Sequence, residues 1–204
     1  MLYTGTYKGV DVTIATSGIG QPSMLIYAFE LFDTYNVHTI VRIGSCGALA
    51  RDIKVGDFIS LVDAYTDNGM SFPFDQKNSI SRSSQTIRAA FLDNAEKLKI
   101  PLKERRGFTN DLFYNEASGG LQARDKHDCS VVSMESKILF DIAKEFDRNA
   151  ASLLLVVDAV LDLEKRRNAG EKLEINPFLT TPIPGIDSLF SLALESIVEL
   201  SEKN

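Results

Sequence analysis

Residues 150–157 read AASLLLVV, eight positions without a charge, and Asp158 follows at once. A strand with one wet face alternates apolar and polar residues. An unbroken run such as this belongs to a strand covered on both faces, as in the centre of a parallel sheet. Helices packed on the two faces supply that cover, so this one stretch already favours an α/β domain.

The remaining sequence supplies the alternation that such a domain needs. Val10–Gly18 (VDVTIATSG) alternates and then meets Gly18 and Gly20, a strand entering a turn. Within Pro22–Tyr35, Leu25, Ile26, Phe29 and Phe32 fall at helical spacing, and Pro22 suits a first turn. Thr39–Ile43 and Phe58–Ala64 read as strands, Ser84–Leu98 as a helix, ERRGFT as strand-like and Val131–Ser133 as a short strand. Glu135–Phe146 is helical in period, and Asp187–Glu202 closes the chain as an amphipathic helix. Ser71–Ser83, Asn115–Asp128 and Asp162–Glu174 read as loops. No repeat and no linker divides the chain. The expectation is one domain over residues 1–204, with three αβα layers around a mixed, largely parallel sheet.

Composition excludes several classes of function. The net charge of −6 and the lack of a basic patch argue against a nucleic-acid binder. No stretch approaches the ~20 apolar residues that cross a bilayer, and MLYTGTYKGV lacks the order of a signal peptide. Two cysteines, Cys46 and Cys129, make no disulfide framework and suit a reducing, cytoplasmic setting. With only His38 and His127, no metal is expected.

In open α/β sheets ligands bind beyond the carboxyl ends of the strands. That rule selects Arg42 with Gly44, Ser45, Cys46 and Gly47, then Thr109–Tyr114, and Asp158. A small-residue loop presenting N–H groups beside a guanidinium suits an anion such as phosphate; a tight turn with Arg42 paired to a structural carboxylate accounts for the same residues. Asp158, at the end of the apolar run, should hold its proton above the ordinary carboxyl range and could donate it. Capping of the next segment, or pairing with Arg166, fits it as well. Glu135 in SMES could serve a helix N-terminus, and Phe113 and Tyr114 could be core aromatics.

Taken together, MLYTGTYKG, GIGQPS, VRIGSCGAL, DAYTD, NDLFY, SMES and LLLVVDA stand in a familiar order and spacing. From Met1 to about Val160 the chain resembles the hexameric bacterial purine nucleoside phosphorylases, within the wider nucleoside phosphorylase/uridine phosphorylase family. The resemblance implies phosphorolysis of purine (deoxy)ribonucleosides, with inorganic phosphate as co-substrate and no cofactor. Arg42, Gly44 and Ser45 would hold phosphate, and Met134 and Glu135 the ribose. Cys46, Gly47, Asn110, Phe113 and Val132 would line the base, and Asp158 would protonate it. A homo-oligomer is implied, a dimer or a trimer of dimers.

The departures from the family pattern shape the expectations further. Its Gly-Asp-Pro-x-Arg phosphate loop has no counterpart in residues 1–204, so reduced activity is expected. Ser133 stands where the purine enzymes carry glutamate, and Arg166, Arg167 and Lys172 are candidates for the arginine that assists the acid. Uridine-specific relatives place glutamine and arginine where this chain has Ala117 and Gly119; Gln122 and Arg124 keep the spacing but are displaced. Alternatives are a nucleosidase using water, a uridine phosphorylase, and a non-catalytic nucleoside-binding relative or subunit.

Overall fold

A computed structural model of the chain describes residues 2–68, 70, 79–113, 118–160, 169–170 and 184–202. It opens with a hairpin of β1 (Leu2–Tyr7) and β2 (Val10–Ala15), joined by Lys8 and Gly9, both at positive φ. A two-residue turn with both φ values positive matches the twist of the strands it joins. The hairpin forms a sheet of its own, largely exposed.

After it come α1 (Gln21–Asp33), β3 (Thr39–Ala48), β4 (Phe58–Tyr65), β5 (Ile80–Arg82), α2 (Gln85–Leu98) and β6 (Leu102–Thr109). The series ends with α3 (Ser118–His127), β7 (Val131–Ser133), α4 (Ser136–Glu145), β8 (Asn149–Ala159) and α5 (Ile186–Glu202). Six strands lie in the order β5-β4-β6-β7-β3-β8. The long ladders are parallel: β3 on β8 from Thr39 opposite Asn149, and β4 on β6 from Phe58 opposite Leu102. Short antiparallel pairings join β3 to β7 and β4 to β5. A further antiparallel pairing, Phe58 opposite Leu155 to Ser60 opposite Leu153, joins β4 to β8. The sheet therefore closes on itself, which no periodicity in the sequence foretold.

The mixed α/β architecture is the one expected, and the apolar run explains itself. Leu154 and Val156 of β8 pack with Met24, Phe32, Leu139 and Ile142 of α1 and α4. Ala151, Leu153 and Leu155 pack on the other face with Ile87, Phe91, Leu189 and Leu192 of α2 and α5. Both faces of the strand are thus covered.

Three local readings change. Residues 118–127, read as loop, form α3; its apolar content is thin, and it is held by Ala123 in a cluster with Leu49, Phe108 and Cys129. Residues 80–82, also read as loop, form β5 against Asp63–Tyr65. And β3 does not stop at Ile43 but runs on to Ala48, so Gly44–Gly47 are strand rather than loop. The segment 162–174 lies outside the described residues except for 169–170, as do Arg166, Arg167 and Lys172. No helix among the described residues is long and apolar enough to cross a membrane.

Candidate active site

The glycines of β3 are there for clearance. A Cβ on Gly44 would lie 2.7 Å from Arg42 Nη1 and 2.8 Å from its Cζ, so the guanidinium folds back over Gly44. A Cβ on Gly47 would collide with Asp158 Oδ1 and come within 3.3 Å of Val132. Neither glycine has the positive φ of a turn. Small residues in β3 thus let the Arg42 and Asp158 side chains lie flat against its backbone.

Arg42 shares a strand face with Ile40 and Cys46, which puts it on the side of α1 and α4. There its Nη2 donates to Glu135 Oε2 in an ion pair that is about nine-tenths buried, 11% and 8% of the two side chains being exposed. Glu135 Oε1 accepts the Gly20 N–H at 2.9 Å, and Oε2 also accepts the Met134 N–H at 3.2 Å. Gly20 caps α1 and Glu135 caps α4, so two helix N-termini meet at this side chain. Helix α4 is pinned in turn by the buried Lys137–Asp141 pair, whose Asp141 accepts the Ser81 hydroxyl. Arg42 Nη1 is buried without a hydrogen-bond partner among the described residues. The guanidinium keeps donor capacity that Glu135 does not take up.

Ser45 falls, by alternation, on the face of β3 opposite to Arg42, and is half-buried. The structure thus brings Glu135 to the guanidinium where sequence reasoning set Ser45 beside it.

Asp158 sits near the end of β8, opposite Gly47 across a register shift between Cys46 and Gly47. Its Oδ1 is buried with no hydrogen-bond partner among the described residues. Burial alone pushes the carboxyl above its usual range, because the charged form loses hydration and gains nothing back. The Cys46 thiol, also buried, is pushed up by the same cause, against the pull of Arg42. Neither Cys46 nor Cys129 is in a disulfide. Among the described residues no three or more His, Cys, Asp or Glu side chains are grouped to hold a metal.

The base-side candidates converge from three strands. Gly47 of β3 pairs with Val132 of β7, which pairs with Phe108 of β6. Asn110 follows β6, its N–H bound to Ser133 O at 3.0 Å and its Oδ1 accepting the Leu112 N–H at 3.1 Å. Phe113, at the end of this turn, is 54% exposed. Tyr114 and Ala117 lie outside the described residues. Ser133, which stands where the purine enzymes carry glutamate, bonds Ser136 across 3.2 Å in the interior. A separate open cleft of about 460 Å³, lined by Asp52, Glu104, Arg105, Arg106, Asp128 and Ser130, lies away from these groups. Arg105 and Arg106 are both paired to aspartates, so the cleft shows no chemistry.

Sequence reasoning missed the contribution of the β2–α1 loop. Gly20 holds Glu135, and the fully buried Gln21 donates to Asp111 Oδ1 at 3.1 Å. A Gly-x-Gly turn is too common to signal this; Gln21, an amide where the helix turns inward, was the one available hint.

A family model described as "Phosphorylase superfamily" matches residues 1–177. Over 197 residues the chain is 34% identical to a protein of Colwellia psychrerythraea named "Purine nucleoside phosphorylase DeoD-type", which spans 96% of this chain and 80% of that one. A protein of Bacillus subtilis with the same name is 34% identical over 164 residues, 80% of this chain and 70% of its own. Among solved structures, the native futalosine hydrolase of Helicobacter pylori strain 26695 superposes with a TM-score of 0.80 at 16% identity. It covers 97% of this chain and 84% of that chain, and shares the fold.

Proposed function

Because the chain belongs to the phosphorylase superfamily, we propose that it cleaves purine (deoxy)ribonucleosides by phosphorolysis, giving free base and (deoxy)ribose 1-phosphate. The observation that carries the reading is Asp158: near the end of β8, its Oδ1 is buried without a hydrogen-bond partner among the described residues and lies against the Gly47 backbone. A purine departs from an anomeric carbon as an anion unless a proton reaches it, and a carboxyl whose hold on its proton is strengthened by burial is suited to that need.

In the proposed reaction an oxygen of phosphate forms a bond to the anomeric carbon as the carbon–nitrogen bond breaks. The bonding pair goes to the base, and the Asp158 proton goes to a nitrogen of its five-membered ring. Arg42, lying over Gly44 on β3, takes the phosphate; the Nη1 that Glu135 leaves unused offers a donor, while Ser45 faces the other side of the strand. Glu135 and Met134 take the ribose, and Cys46, Gly47, Asn110, Val132 and Phe113 the base. Inorganic phosphate is the only co-reactant the scheme requires. The setting is cytoplasmic and the working form a homo-oligomer.

One observation favours a second reading, hydrolysis. The Arg42 charge is already matched by Glu135, so the site is closer to neutral than a dedicated phosphate site. The uridine reading loses ground, because Arg124 binds Asp125 and the Leu49 carbonyl. The test is to incubate the protein with inosine and follow free hypoxanthine by chromatography, with and without phosphate. Phosphate-dependent release with ribose 1-phosphate as co-product supports phosphorolysis. Phosphate-independent release supports hydrolysis, and no release refutes both.

A further inference from the structure

We propose that Asp111, which has no role in the reading above, is a positioning residue that fixes the base-binding turn relative to the groups around the sugar. The inference rests on that reading of the site. Gln21 directly follows Gly20, whose N–H is held by Glu135. The Gln21 side chain is wholly buried, and its Nε2 donates to Asp111 Oδ1 at 3.1 Å. Asp111 Oδ2 accepts from Asn68 Nδ2 at 2.6 Å. One carboxylate thus joins the start of α1 to the segments leaving β4 and β6.

The strands themselves are tied one step earlier, where Thr66 Oγ1 donates to the Thr109 carbonyl at 2.8 Å. That bond fixes the strand ends and leaves open the direction of the turn beyond them. The turn closes locally, Leu112 N–H to Asn110 Oδ1. Leu112 and Phe113 are too exposed for apolar burial to hold it. Asp111 is the side chain that reaches from this turn to α1, and through Gly20 and Glu135 to Arg42. It can do so because a carboxylate accepts at both oxygens; a carboxamide would set an NH2 group against one of its two amide donors.

The experiment uses the full chain and two binding measurements, calorimetry with inosine and with ribose 1-phosphate, beside steady-state kinetics. Asp111→Asn should weaken inosine binding and raise its KM by about 10-fold, the scale of one lost hydrogen bond to a charged group. The value of kcat should stay within about threefold, since no reacting atom is touched. Ribose 1-phosphate, which lacks the base, should bind unchanged. Adding Asn68→Asp exchanges donor and acceptor across that pair and should restore inosine binding; it also keeps an acceptor for the Met70 N–H. If Asp111→Asn does not fold, Gln21→Met cuts the same link and should give the same pattern.

Unchanged inosine binding in a folded variant overturns the proposal, as does equal loss for both ligands or failure of the Asn68→Asp exchange to rescue. A wild type that binds no purine nucleoside refutes the site reading and this inference with it. A wild type that cleaves inosine, beside an Asp111→Asn variant with normal affinity, refutes this inference alone.

Discussion

Asp158 offers the sharpest test at the scale of single residues. Its carboxyl is raised by burial, so the proton that would go to the base is present at low pH and lost as pH rises through the raised value. Inosine cleavage should therefore fall on the alkaline side. Asp158→Asn should lower kcat/KM by ~100-fold or more and remove that limb of the profile. The linkage has a second face. A group whose pKa is raised by folding favours the fold while protonated and opposes it once ionised. Melting curves should show Asp158→Asn more stable than wild type where the carboxyl is ionised, with the gain shrinking as pH falls through the raised value. Gly47→Ala is a complementary probe: its methyl would meet Asp158 Oδ1, forcing the carboxyl off the strand. Activity should fall by roughly 10-fold or more, since displacing the acid costs part of its ~100-fold contribution. A variant as active as wild type would show that the carboxyl is not needed in that place. Asp158 and Arg42 stood out in the sequence because each interrupts or ends an apolar pattern, and Glu135 through the family resemblance. Asp111 and Gln21 did not, because a polar residue in a polar turn breaks no pattern.

The elements differ in how firmly they are held. The hairpin β1–β2 is exposed along most of its length, and its turn region reaches α5 through Glu195. That carboxylate accepts the Tyr7 hydroxyl at 2.7 Å and is paired with Lys8. Hydrogen bonds from Lys8 and Tyr7 hold Glu195 below its ordinary value. A depressed carboxyl supports the contact above its ordinary range and loses it as pH falls through the lowered value. Hydrogen exchange over residues 2–15 should accelerate severalfold in Glu195→Gln while the melting temperature barely moves, because an exposed pair contributes little to global stability. Protection equal to wild type would mean that the hairpin is held by something else. Elements with a full period, such as α1, α4 and β8, were read from the sequence to within a few residues. Helix α3 was not: its stability comes from contacts such as Ala123 with Phe108 and Leu49, and contacts between distant residues leave no period to read.

For the molecule as a whole, the exposed apolar residues Ile19, Ile26, Leu112 and Phe113 bear on the proposed homo-oligomer. Gln21 and Asp111 are in contact, and Ile19 and the Leu112–Phe113 turn adjoin these two residues in the chain. Exposed apolar residues of this kind are what a stable interface of ~800 Å² per partner would cover. Sedimentation at micromolar concentration should show a dimer or larger species; monomer alone would refute it. The α/β class was legible from one apolar run, but the pairing of β4 with β8 was not, since register between remote strands is settled only in three dimensions. That pairing also sets an order of events during synthesis. A ribosome delivers β3, β4, β6 and β7 before β8, the strand that must lie beside both β3 and β4. Until residue 159 clears the exit tunnel, β3 and β4 each keep one edge without its partner, open to other nascent chains. The ring cannot close before β8 has been made, and until then two open strand edges are what a chaperone would have to shield.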